Sequence, residues 1–218
     1  LIVISFEDKH LYSTIPEDFG LLDRLEILRL GSNELTGSIP DEIGDMENLD
    51  ILKLNSNQLS GTIPANIGSL TKLDTLRLDN NNLEGTIPTN ITNMGELEYL
   101  YLQENNLSGS IPSDIGNLTN LIQLYLDNNN LEGEIPPSIG NLTNLMRLYL
   151  YNNNFTGQIP ESICNIYDSY EAFWMSLNNN QLCPNSEGEY LDCSSVLDFD
   201  MPFLSNQIGV QSSQAVCD

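Results

Sequence analysis

This sequence has very little positive charge. Its 218 residues hold 7 Lys plus Arg against 31 Asp plus Glu, a formal net charge of −24. A surface that acidic repels phosphate backbones and anionic lipid head groups, which argues against nucleic-acid and membrane-surface partners. Long apolar runs are also missing, and no segment approaches the roughly 20 residues of a membrane-spanning helix. The opening Leu1–Ile4 is too short and too poorly flanked for a signal peptide, so the numbered chain is expected to be a processed or excised product.

Reactive residues are equally scarce. The single histidine, His10, falls in an irregular loop, and without it no Ser/His/Asp set can be assembled. No phosphate-cradling glycine motif occurs. Carboxylates are so abundant that a close pair says nothing about glycoside hydrolysis. The runs Asp79–Asn82 and Asp127–Asn130 lack the spaced acidic ligands of a calcium loop. The chain is therefore expected to be no enzyme, with no cofactor and no metal site. Cysteine appears only four times, as Cys164, Cys183, Cys193 and Cys217, all in the last quarter. Their separations do not fit a zinc site, and an even number clustered at one end predicts two disulfides formed in an oxidising compartment. Two pairings suit the end of a repeat array: Cys164–Cys183 with Cys193–Cys217, or Cys164–Cys193 with Cys183–Cys217.

What the chain does have is a repeat. Leu25, Leu49, Leu73, Leu97, Leu121 and Leu145 recur every 24 positions. The same interval links Leu28 to Leu148, Leu30 to Leu150, Asn33 to Asn153, Gly37 to Gly157, Ile39 to Ile159 and Pro40 to Pro160. An imperfect first copy places Ile4, Phe6, Leu11, Ile15 and Pro16 in register, and a degraded last copy carries Met175, Leu177, Asn180 and Leu182. Each position has a physical task. Alternation turns Leu28 and Leu30 inward and residues 27, 29 and 31 outward. Asn33 can bond buried backbone where the chain leaves the strand, while Gly37 permits a tight bend and Pro40 stiffens the return. One such unit cannot bury its apolar face alone, so the units must stack.

The segment Leu121–Asn144, LIQLYLDNNNLEGEIPPSIGNLTN, resembles the plant-type extracellular leucine-rich repeat. Polygalacturonase-inhibiting proteins, receptor-kinase ectodomains and related secreted bacterial and algal repeats are similar. The resemblance implies an α/β-class, right-handed solenoid of about eight rungs, with a parallel concave sheet, little regular helix and a disulfide-closed C-terminal cap. Residues 1–182 form the solenoid in this reading and 183–218 the cap. It also implies an extracellular or cell-surface location and a protein, peptide or polysaccharide ligand. Plant members carry a cysteine-bearing N-terminal cap, whereas this sequence opens directly on a strand. A cap upstream of the numbered chain is the expected explanation. The alternative is a structural subunit that stacks head-to-tail through that edge.

The outward columns of the strand ladder carry the candidate site. One reads Ser5, Arg29, Lys53, Arg77, Tyr101, Tyr125, Tyr149, Ser176, and its neighbour Val3, Ile27, Ile51, Thr75, Tyr99, Gln123, Arg147, Trp174. A third contributes Tyr151. Arg29, Lys53, Arg77 and Arg147 thus gather on one face with Tyr99, Tyr101, Tyr125, Tyr149, Tyr151 and Trp174. Three cations on neighbouring rungs repel, by about 0.8 kcal/mol per pair at ~5 Å in water. Asp50, Asp74 and Asp79 are the acids placed to neutralise them. Tyr, Trp and Arg dominate binding hot spots, so this face is the expected ligand site. A row of small hydroxyls at Thr14, Ser38, Thr62, Thr86 and Ser110 is broken by Glu134 and Gln158, which argues against an ice-binding surface. Five Asn-x-Ser/Thr sequons, at Asn90, Asn106, Asn117, Asn141 and Asn154, largely follow from the repeat itself.

Overall fold

The computed structural model describes residues 1–167 and 173–184. Eight three-residue strands, Val3–Ser5, Ile27–Arg29, Ile51–Lys53, Thr75–Arg77, Tyr99–Tyr101, Gln123–Tyr125, Arg147–Tyr149 and Trp174–Ser176, pair in chain order into one parallel sheet. The pairing advances by one repeat at each step, so Leu28, Leu52, Leu76, Leu100, Leu124 and Leu148 stand directly beside one another. All six are at most 1% exposed. Burying a leucine fully contributes roughly 1.5–3 kcal/mol, so the column forms a continuous spine. Between strands the chain returns through short 3-10 turns such as Asp41–Asp45 and Ala65–Ser69, each entered through a proline whose carbonyl accepts the first turn bond, as in Ile43 N–H to Pro40 at 3.1 Å. The only α-helical stretch among the described residues is Cys164–Tyr167, and no described helix is long and apolar enough to cross a membrane.

The asparagine ladder performs the task its position predicts. Asn81 accepts the Leu59 N–H at 3.0 Å and donates to the carbonyls of Leu54 and Leu78 at 3.0 and 3.1 Å. It thereby joins its own rung to the one before, and Asn57, Asn105, Asn129 and Asn153 repeat the pattern. A short amide satisfies buried backbone groups here that would each cost about 1–3 kcal/mol unpaired. Close stacking also explains one glycine: a Cβ on Gly68 would lie 2.2 Å from the Asn90 carbonyl oxygen of the next turn.

Two features go beyond the repeat pattern read from the sequence. The structure has a second parallel sheet, formed by Thr36–Gly37, Gln58–Thr62, Asn82–Thr86, Asn106–Gly109, Asn130–Glu134 and Asn154–Thr156. Its strands alternate exposed and buried residues, as at Gln58, Leu59 and Ser60, but five of the six contain a glycine with positive φ, such as Gly61 at +74°. Glycine ordinarily weakens a strand, and the parallel neighbour on each side overrides that local preference. The first rung also departs from the core pattern. Phe6, in register with Leu30, is 51% exposed, and among the described residues its rung packs only against the one that follows. At the other end Met175, Leu177 and Leu182 are buried as their register requires. Cys164 is buried, and it and Cys183 are both disulfide-bonded. Cys193 and Cys217, and with them the choice of pairing and nearly all of 183–218, lie outside the described residues.

Candidate binding face

Cross-strand pairing places Arg29, Lys53, Arg77, Tyr101, Tyr125 and Tyr149 directly beside one another. Tyr99, Gln123, Arg147 and Trp174 line up in the adjacent column. All the strand candidates therefore share one face of the eight-stranded sheet, and Tyr151 joins from the next outward position.

The C-terminal half of the face is a connected aromatic row. Tyr125 stacks on Tyr149 with ring centroids 4.5 Å apart, and Tyr101 meets Tyr125 edge-on at 4.9 Å. Tyr99 and Tyr151 flank the row at 6.4 and 6.3 Å from Tyr101 and Tyr149. Such pairs contribute about 0.5–1.5 kcal/mol beyond their burial. The Tyr101 hydroxyl donates to Gln123 Oε1 at 2.8 Å. Partial burial raises the pKa of the Tyr101, Tyr125 and Tyr151 hydroxyls, which therefore stay protonated donors at neutral pH. A side-chain hydrogen bond with Tyr125 raises the pKa of Arg147, which lies exposed at the edge of the row. Trp174, 49% exposed, continues the same column.

The N-terminal half is basic, and its three cations differ. Arg77 holds Asp79 in a fork, Nε to Oδ1 at 3.0 Å and Nη2 to Oδ2 at 2.9 Å, with its guanidinium carbon 5.1 Å from the centre of the Tyr101 ring. The Asp79 hydrogen bond raises the Arg77 pKa further. Among the described residues, Arg29 and Lys53 form no ion pair, and Arg29 Nε is buried without a hydrogen-bond partner. Of the three acids placed to neutralise these cations, only Asp79 forms an ion pair with one of them among the described residues. Asp50 has its pKa raised, first by burial and then by repulsion from Asp74 and Glu26, so the charges that dominate its surroundings are other carboxylates. Asp74 accepts a hydrogen bond from the Thr75 hydroxyl at 2.6 Å.

Residues assigned as outward are not all exposed. Asp79 is 1% and Asp127 3% exposed, and Asn55, Thr75 and Ile27 are at most 9%. The long side chains beside them explain this: Arg77 closes over Asp79, and Tyr151 hydrogen-bonds Asp127. Burial raises the Asp127 pKa, opposed by the hydrogen bonds from Tyr151 and Asn128, and its Oδ1 has no partner. An alternating pattern tells which side of a sheet a residue leaves from, and nothing in it reports what its neighbours cover.

Known proteins share this repeat fold. A leucine-rich repeat family model matches residues 71–131, and a single-repeat model matches 24–46, 48–70 and 144–166, together more than half of the chain. The chain belongs to the leucine-rich repeat family. The repeat is of the plant type, and its structure is similar to that of the Arabidopsis receptor kinase HAESA, solved with the peptide hormone IDA and the co-receptor SERK1, at 34% identity and a TM-score of 0.78 over 84% of this chain and 30% of that one. The plant peptide hormone receptor RGFR1, solved with RGF2, is 33% identical with a TM-score of 0.68, covering 84% of this chain and 33% of the receptor. A plant ice-binding protein is 29% identical with a TM-score of 0.69, over 84% of this chain and 66% of that protein. The leucine-rich repeat chain thus spans about a third or less of the receptors it resembles. Comparison with curated protein sequences finds no match.

The exposed hydroxyls of Ser38, Thr62, Thr86 and Ser110, the row weighed above as an ice-binding surface, stand on or beside the second sheet.

Proposed function

We propose that this leucine-rich repeat chain is an extracellular, non-enzymatic recognition module whose concave face, the eight-stranded sheet, engages a protein or peptide. The observation that carries the reading is the tyrosine row, in which rings on successive rungs are already packed at 4.5–4.9 Å. Rigid, amphipathic aromatic area is what a partner side chain binds with little loss of conformational freedom. The receptors of similar structure were solved with peptide hormones, which supports a peptide ligand. A glycan is the other ligand that flat rings suit. In this reading Arg29, Lys53, Arg77 and Arg147 flank the aromatic contact area, residues 1–182 present the face, and the 183–218 segment with its disulfides closes the C-terminal end.

The test is a binding screen of the purified chain against extracellular peptides, proteins and glycans, followed by kinetics on whatever binds. Tyr125→Ala should speed dissociation, while Thr86→Ala on the second sheet should leave binding intact. Loss of binding in the Thr86 variant alone would move the site to the other flank. That flank supports a second reading, because its small hydroxyls run uninterrupted from Thr14 to Ser110 and one similar structure is an ice-binding protein. Thermal hysteresis in a cooled solution, lost in Thr62→Tyr, is the result that would favour it.

A further inference from the structure

The two halves of the concave face differ in how far their side chains satisfy one another, and this points to the chemistry of the ligand. In the aromatic half each ring has a ring neighbour, Tyr101 bonds Gln123, and Arg147 is tied to Tyr125. Arg77, at the boundary, is held by Asp79 and the Tyr101 ring. Arg29 and Lys53 stand apart. They are direct cross-strand partners, both half-buried, in a chain where acids outnumber bases by more than four to one, yet neither is ion-paired among the described residues. Within their own rungs their flanks are uncharged, Ile27 and Ile51 on one side and Gly31 and Asn55 on the other, while the Glu7 carboxylate of the first rung reaches far enough along this face to act on Arg77 without pairing with Arg29 or Lys53. The carboxylates Glu26, Asp50 and Asp74 form their own row at the strand entrances. Two like charges at this spacing repel, so the arrangement costs energy in the free protein that an incoming anion would relieve.

Resting on the concave-face reading above, we infer that Arg29 and Lys53 form an anion subsite for an acidic residue of an extended peptide, whose apolar or aromatic residues lie on the tyrosine row. The geometry sets both spacing and direction. Lys53 and Tyr125 are three rungs apart, about 14 Å at the usual strand separation. An extended peptide covers that span in about four residues at roughly 3.3 Å each. The acidic residue points toward the N-terminal rungs and the apolar residues toward the C-terminal ones. The guanidinium of Arg29 gives a planar fork suited to a carboxylate, and Lys53 adds a movable point charge. Neighbouring Ile27 and Ile51 supply an apolar ledge that keeps water from screening the pair.

Two synthetic peptides and one glycan test this. The first peptide carries two aspartates, a spacer of about four Ser and Gly residues to match the rung distance, and a Leu-Tyr pair. The second replaces both aspartates with asparagine. An oligosaccharide of uronic acids, similar in length, serves as the third probe. The acidic peptide should bind ~10–100-fold more tightly than the amide peptide, the range for a hydrogen bond to a charged group. That preference should shrink as salt is raised. It should vanish in the Arg29→Gln/Lys53→Gln double variant, whose side chains keep their methylene stems and whose unchanged circular-dichroism melt verifies folding. Equal binding of the two peptides, binding of neither, or a preference that survives the double substitution overturns the subsite. Selective capture of the uronic oligosaccharide through the same pair overturns the peptide assignment. Should binding depend on Arg29 and Lys53 but not on Tyr125, the subsite stands and the aromatic reading falls. Sensitivity to Thr86→Ala alone means that the concave-face reading itself has failed.

Discussion

The basic and aromatic halves of the concave face occupy the same positions of the same repeat. Arg29 and Lys53 hold the column that Tyr125 and Tyr149 hold farther along, over an unbroken row of buried leucines. The backbone and core beneath them are alike, so the contrast belongs to the side chains alone. Aromatic neighbours satisfy each other and form a preordered surface. Cationic neighbours repel and gain most from a partner that brings opposite charge. A solenoid can thus change binding chemistry rung by rung without disturbing its core, because outward and inward positions are energetically separate.

The largest test of this comparison concerns the shared core. Leu52→Ala under the basic half and Leu124→Ala under the aromatic half should each cost about 2–5 kcal/mol in denaturant unfolding. A large difference between them would mean that the halves differ below the surface as well. Next in size is Asp79→Ala, expected to cost roughly 1–3 kcal/mol because Arg77 loses both charged hydrogen bonds. It also releases a third cation, so ligand association should become more salt-sensitive. Unchanged salt dependence would show that Arg77 never belonged electrostatically with Arg29 and Lys53. A double-mutant cycle on Tyr125 and Tyr149 should give a coupling of about 0.5–1.5 kcal/mol. The corresponding cycle on Lys53 and Tyr149, which do not touch, should be additive.

The smallest effect concerns Asp127 and the pH. Burial raises its folded pKa above the unfolded value. The folded state then binds the proton more tightly, so this residue's contribution is most favourable at low pH and weakens as pH rises from about 3.9 through the raised folded value. Asp127→Asn should remove that decline. Melting temperatures of the two proteins should therefore differ in favour of the asparagine variant at neutral pH and converge toward acid. The reverse trend would say that the hydrogen bonds from Tyr151 and Asn128 outweigh burial.

Much of the fold was legible because its determinants are local and repeated. The leucine columns, the role of Asn81 and the register of both terminal rungs could be read from spacing alone, as could the division of the face into cations and tyrosines. The second sheet was not legible, since Gly61 and its counterparts look like turn residues until a parallel neighbour lies on either side. Nor was the fate of Asp79, whose burial depends on where the Arg77 side chain settles.

A period of 24 residues with alternating leucines determines by itself that the chain stacks, which side chains enter the core and which share a column, because each rung can bury its apolar face only against the next. The tertiary structure decided which charges on that column are compensated. Pairing depends on distances of a few ångströms between side chains of different rungs, and Coulomb interactions and hydrogen bonds change over that range while the sequence pattern stays the same.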